Sequence, residues 1–210
     1  MLTQYHIEIM LNSLGERFSP RAISAIINAN IYQDRLAGQF GHDEYHFDNN
    51  AFEKSYAYIV EQRALTISSL QNDDARAAWS AFGRMTHTLQ DFYAHSNYIT
   101  LWLARFSGQT PPAPHEVDPM DLTLINSPSL RSGKVYYPFE FLYFIRATKK
   151  FSLRILPYNS HAWMNLDSPH CVQGFKFDYA MQAAIKRTVI EFDKTTSDFS
   201  DEMCRLFMDR

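Results

Sequence analysis

The sequence predicts an all-α protein, and three observations carry that prediction. Apolar residues recur at helical spacing along most of the 210 residues. Alternating Val, Ile and Thr runs, which strands would need, do not occur. The one long stretch without periodicity, Ser107 to Tyr137, is rich in Pro, Ser, Gly and Asp and reads as a loop. With 46% hydrophobic and 20% charged residues the chain is that of a folded protein, long enough for one domain, residues 1–210, with a substantial core.

The elements follow in order. Leu2 to Leu14 is the first helix, with Ile7, Met10, Leu11 and Leu14 at helical spacing and His6 near its start. "SPRAISAIINANIYQDRL" opens the second, with Ser19 as N-cap and Pro20 at the first helical position. Asp34 falls in its last turns, where a carboxylate opposes the macrodipole, so another reason for that residue is expected. "AGQFGHDEYHFDNN" is a loop, and "AFEKSYAYIVEQRALTISSL" is the third helix. The fourth, "DDARAAWSAFGRMTHTLQDFYAH", starts at Asp73 or Asp74. The 107–137 segment is an ordered loop or a lid rather than a linker, because neither side of it is self-sufficient in elements. A fifth helix is expected over Phe139 to Leu156 and a long last one over Phe175 to Met208.

Composition excludes some functions. A net charge of −3 offers no polybasic footprint, which argues against duplex nucleic acid as a partner. The opening "MLTQYHIEIM" lacks the pattern of a signal peptide. The densest apolar run, Val135 to Ile145, contains Pro138 and Glu140 and is too short to span a bilayer. No transmembrane segment is therefore expected, and the chain reads as soluble, either cytoplasmic or secreted with its leader absent. Cys171 and Cys204 alone make no disulfide framework.

The chemistry is concentrated in "MTHTLQDFYAHSNYI". His87, Asp91 and His95 stand four residues apart, drifting only about 40° per step, so they share one helix face. An isolated His/Asp pair at this spacing is a common surface contact worth a few tenths of a kcal/mol. Here the flanks are apolar, which predicts burial, and buried polar groups without partners are costly. His87 and His95 lie about 12 Å apart along the axis, too far for one ion, so the middle carboxylate is the natural bridge between more than one metal. His6, Asp34, the "HDEYHFD" loop and "HAWMNLD" supply further His and carboxylate groups, a ligand set suited to zinc.

"FGRMTHTLQDFYAHSNYI" resembles the core motif of the zinc-dependent phospholipase C and P1 nuclease superfamily, especially its Het-C-like branch, whose helix reads roughly G-x-x-x-H-x-x-x-D-F-x-A-H-S-N. "YHIEIMLNSLG", "ANIYQDRL", "YHFDNN" and "HAWMNLDSP" extend the resemblance in order along the chain. It implies a single-domain multi-helix bundle of that type holding two or three zinc ions, with iron or manganese accepted by the same donors. Asp34, His46, His87 and Asp91 would hold the first ion, and Asp91 would bridge to one that also takes His6. His95 and His161 would hold the remaining ion with Asp167, or less readily Asn165, which stands where the family has Glu. The chain begins "MLTQY" where the family commonly has Trp, leaving the N-terminal amine at His6 as a further donor.

The activity so implied is metal-dependent phosphoester hydrolysis, of phospholipase C type, in which Asp34 orients or deprotonates the attacking water. The alternatives are a nuclease or nucleotidase of the same superfamily, and a Het-C-like interaction protein whose metals are not catalytic. Expected partners are a phospholipid or other phosphoester and, through exposed aromatics of "VYYPFEFLYF" and "YITLWLARF", the membrane surface; packing is the commoner role of such residues. His42 competes with His46 for the loop position, while His115 and His170 are expected in solvated loop roles. Tyr93, Ser96 and Asn97 either pack and cap or support the ligands.

Overall fold

The helix at the centre of the molecule is the one that carries the His/Asp ladder. In the computed structural model, which describes all residues except 36, 37, 39, 40 and 146, the longer helices are α1 (Thr3–Leu14), α2 (Pro20–Tyr32), α3 (Phe52–Gln71), α4 (Ala75–His95), α5 (Tyr98–Ala104), α6 (Lys149–Ile155), α7 (Phe177–Thr196) and α8 (Asp201–Met208). Among the described residues no strand forms; two isolated bridges, Ser96 with Ser132 and Lys134 with Ser160, are the only sheet-like pairing. The architecture is all-α, as the periodicity predicts.

Every residue of α4 from Met85 to His95 is buried. A helix apolar or enclosed on all sides belongs inside a ring of others, and α2, α3 and α7 pack around α4 while α1 lies against α2 and α7. Gly83 lets α2 come close, since a Cβ there would lie 2.3 Å from the Ile26 carbonyl oxygen and 2.8 Å from Ala29 Cβ. Phe82 packs with Phe18, Phe192 and Phe207. Phe92 packs with Phe47, Phe52, Tyr56 and Tyr98. Each such ring contributes about 1.5–3 kcal/mol by leaving water.

The local start signals hold. Ser19 Oγ accepts from Ala22 N at 3.1 Å with Pro20 at the first position, and Asp74 Oδ1 accepts from Ala77 N at 2.9 Å to begin α4. Three boundaries differ from expectation. Helix α2 ends at Tyr32, so Asp34 lies in the turn just beyond it rather than in its last turns. The fifth helix is two pieces, a turn at Phe141–Phe144 and α6, and between them Thr148 Oγ1 donates to the Leu142 carbonyl at 2.7 Å. The last helix divides after Thr196, where Ser200 caps α8 by accepting from Met203 N, and α8 turns Phe207 back into the core.

The 107–137 segment is an ordered loop strapped to the helices. Tyr93, Tyr98 and Tyr179 donate their hydroxyls to the carbonyls of Pro119, Asp118 and Pro112, and Lys186 donates to Val117. After it, residues 136–163 close around a small second core of Tyr143, Leu156 and Ala162 with Tyr136, Leu153 and Trp163. Gly133 is the seam between the two parts: a Cβ there would meet His161 Cα at 2.6 Å. No described helix is long and apolar enough to cross a membrane.

Candidate metal centre

Five segments, the ladder's own helix among them, build the centre. Helix α1 brings His6, the turn after α2 brings Asp34, and α4 supplies His87, Asp91 and His95. Residues 43–50 bring His46 and Asp48, and the segment after Gly133 brings His161 and Asp167. The 43–50 segment can do so because Phe47, Asn49 and Asn50 are left-handed, with φ of 55°, 54° and 59°. For a bulky residue such as Phe47 that conformation is strained by of order 1–3 kcal/mol. Burial of its ring among Phe52, Tyr56 and Phe92 offsets the strain. The turn aims His46 and Asp48, two residues apart, at the same volume.

Asp91 sits at the middle and uses both oxygens. Its Oδ1 is 3.3 Å from His6 Nε2 and 3.9 Å from His95 Nε2, and its Oδ2 is 2.9 Å from His46 Nδ1 and 3.1 Å from His87 Nε2. Asp34 reaches the same side, with Oδ1 3.6 Å from His87 Nε2 and Oδ2 3.9 Å from His6 Nε2. His46 Nδ1 and His87 Nε2 are 3.2 Å apart. On the other side Asp167 Oδ1 is 3.1 Å from His95 Nε2, and its Oδ2 is 3.4 Å from His161 Nε2. The structure thus brings together His6, Asp34, His46, His87, Asp91, His95, His161 and Asp167, all eight residues singled out from the sequence.

The outer contacts fix which ring nitrogen faces inward. His6 Nδ1 donates to Gln90 Oε1 at 2.7 Å, and His95 Nδ1 donates to the His46 carbonyl at 2.8 Å. A carbonyl or amide oxygen only accepts, so both Nδ1 atoms carry the proton and both Nε2 atoms present lone pairs. His161 Nδ1 lies 3.0 Å from Asp48 Oδ1, which leaves His161 Nε2 for Asp167. Asp48 is the residue sequence reasoning missed. Its Oδ1 lies 3.0 Å from His161 Nδ1 and 3.5 Å from His95 Nδ1, so it can orient the His161 ring or, beside His95 and His161, offer a carboxylate oxygen of its own. The signal was present in "YHFDNN", but which way Asp48 points depends on the left-handed Phe47. Gln90, which sets the tautomer of His6, was missed because its contact with a residue 84 positions away is made by tertiary packing.

Other candidates lie outside. Asn165 Nδ2 donates to Tyr143 Oη and to the His161 carbonyl, a structural role. His42 pairs with Glu44 and stacks on Tyr45, and His115 and His170 are exposed. Ser96 and Asn97 bond backbone carbonyls of Phe92 and Ser129, so with Tyr93 they pack and cap.

The electrostatics favour the ligand forms of several groups. Burial would raise the Asp91 carboxyl, but the Met1 amino group and the surrounding imidazoles outweigh it and hold it well below the usual carboxylate range. Asp167 and Asp48 are lowered against burial in the same way, Asp167 by the amino group, His161 and His95, and Asp48 by His161 and His95. Burial and the neighbouring His6 ring lower His87 to about 4, so it is neutral at pH 7. His46 and His161 are raised, because the carboxylates beside them overcome burial. The Met1 ammonium itself lies 2.5 Å from Asp91 Oδ1 and 3.3 Å from Asp167 Oδ1, and these charges lift it to about 11 despite burial. Positive charge is what this cluster collects.

The donors fit a metal. Two atoms bound to one tetrahedral zinc at about 2.1 Å stand about 3.4 Å apart, and neighbouring donor pairs here are 2.9 to 3.9 Å apart, with His6, Asp34, His87 and Asp91 offering atoms all within 4.8 Å of one another. Among the described residues buried His6 Nε2, Asp34 Oδ2 and His161 Nε2 have no hydrogen-bond partner, although each stands in this polar cluster. Asp34, His46, Asp48, His95, His161 and Asp167 line a cavity of about 570 Å³ whose walls also include Leu2, Val135, Tyr137, Phe141 and Phe144.

The family model described as the VWA7 N-terminal domain matches residues 4–114, which hold all these donors except His161 and Asp167. The human von Willebrand factor A domain-containing protein 7 is 31% identical over 94 residues, 45% of this chain and 10% of that protein. Its mouse counterpart is 29% identical over 112 residues, 51% of this chain and 12% of that protein. The matched part is thus about a tenth of these curated relatives. No solved structure matches. These matches overturn the resemblance to the phospholipase C and P1 nuclease superfamily and its Het-C-like branch. The phosphoester hydrolase assignment falls with it, as do the nuclease and Het-C alternatives and the substrates drawn from them. The physical source of the error is that a His/Asp ladder encodes nitrogen and oxygen ligands, not what happens to a molecule beyond them. Asp34 keeps its place beside His6 and His87 but is assigned no catalytic role. By the extent of the family match, the chain belongs to the VWA7 N-terminal domain family.

Proposed function

We propose that this domain binds two divalent cations, zinc by the character of the donors, at an apolar-walled cavity. His6, Asp34, His46, His87 and Asp91 would hold one, and His95, His161 and Asp167, with the shared Asp91, the other. The observation that carries the proposal is the convergence on one volume of four carboxylates and five imidazoles, with buried donor atoms left without hydrogen bonds. Unpaired buried polar groups cost about 1–3 kcal/mol each, so such a cluster needs a partner that the described residues do not supply.

The protein's own residues divide the work. Gln90, Asp48 and the His46 carbonyl hold three imidazoles in the binding tautomer, and the buried wall of α4 fixes the ladder's spacing. Asp34, His46, His95, His161 and Asp167 line the cavity, so a small oxygen-bearing ligand entering it reaches the metal side of the cage. When bound, the ions would offer Lewis-acidic positions to that oxygen. Elemental analysis of protein purified without a His-tag tests the proposal. About two zinc equivalents per chain are expected after equilibration with zinc and removal of excess. Substoichiometric metal at every divalent cation tried overturns it.

A further inference from the structure

The 141–166 segment has an unusual charge balance for this acidic chain: Arg146, Lys149, Lys150 and Arg154 against no carboxylate. It also holds much of the exposed apolar surface. Helix α6 turns Leu153 toward the small core and buries Ser152, yet Phe151 and Ile155, one turn apart, are 57% and 45% exposed. Lys150 and Arg154 form the neighbouring exposed stripe, about 100° round the helix, with no ion-pair partner among the described residues. Phe139, Phe141, Phe144, Ile145 and Tyr158 are exposed around it, and Phe141 and Phe144 also wall the cavity.

We propose that α6 and the flanking aromatic turns dock on the surface of an anionic lipid bilayer. Aromatic rings at headgroup depth with lysine and arginine among them are the chemistry of an interfacial contact. The cations complement anionic headgroups. A protein partner fits less well, because the core of a protein interface is depleted of lysine and here Lys150 stands beside the exposed rings. Docked this way, the mouth of the cavity faces the headgroup layer. The inference stands independently of cation binding in the cage.

Sedimentation of the 210-residue chain with vesicles tests it, comparing phosphatidylcholine alone with phosphatidylcholine containing phosphatidylserine. Partition onto the anionic vesicles is expected, weakening as salt rises. Lys150→Gln with Arg154→Gln should lower it about thirty-fold, and Phe151→Ser with Ile155→Ser more than ten-fold. All four substitutions are at exposed positions, so unchanged melting temperatures should accompany the loss. Failure to partition, or variants that bind like the parent, overturns the proposal. So does a lipid-independent oligomer that Phe151→Ser with Ile155→Ser dissociates, which would assign the face to a second copy of the chain.

Discussion

Asp91 is the residue on which the centre turns, because it alone faces His6, His46, His87 and His95. Asp91→Asn keeps the shape but replaces one acceptor oxygen with an amide that cannot bind a cation and removes the shared charge. It should lower metal affinity well over 100-fold in a competition titration against a chelating dye. Asp48→Asn, acting through His161, should cost about 10- to 100-fold; equal losses in the two variants would make Asp48 a direct ligand. The same contrast explains what the sequence revealed. His87, Asp91 and His95 are legible because the helical repeat alone places them on one face. Asp48 is not, because its direction depends on Phe47 adopting a left-handed backbone that only tertiary packing sustains.

Elements were legible where their signals are local. Ser19 with Pro20 and Asp74 cap as expected, since a cap bonds backbone two or three residues away. The breaks near Thr148 and after Thr196 were not, since they answer to packing: Trp163 and Leu153 in one case, Phe207 returning to Phe82 in the other. The α2–α4 contact is the tightest test of that packing. Gly83→Ala improves helix propensity by about 1 kcal/mol but drives a methyl into the Ile26 carbonyl and Ala29. The helices must separate, and a net loss of about 1–3 kcal/mol is expected by urea denaturation. A stabilised variant would mean that α2 lies farther from α4 than described.

For the whole molecule, the fold class and the convergence of remote segments could be read in advance, because burial of a charged ladder requires partners from elsewhere. Family and function could not, since the matching region is recognised by its sequence as a whole rather than by its ligands. Because the cage ties α1, α2, α4 and the 161–167 segment together, cation binding should stabilise all of them at once. At about a thousand-fold excess over the dissociation constant that linkage is worth about 4 kcal/mol. Chelation should then lower the melting temperature by roughly 10 °C in a calorimetric scan. An unchanged transition would separate the cage from the stability of the fold. Finally, a spine walled in along its whole second half has no side left to lend to a neighbour. In relatives of which the matched part is about a tenth, whatever is tethered to this unit can press only on its outer sheath, away from the innermost donors.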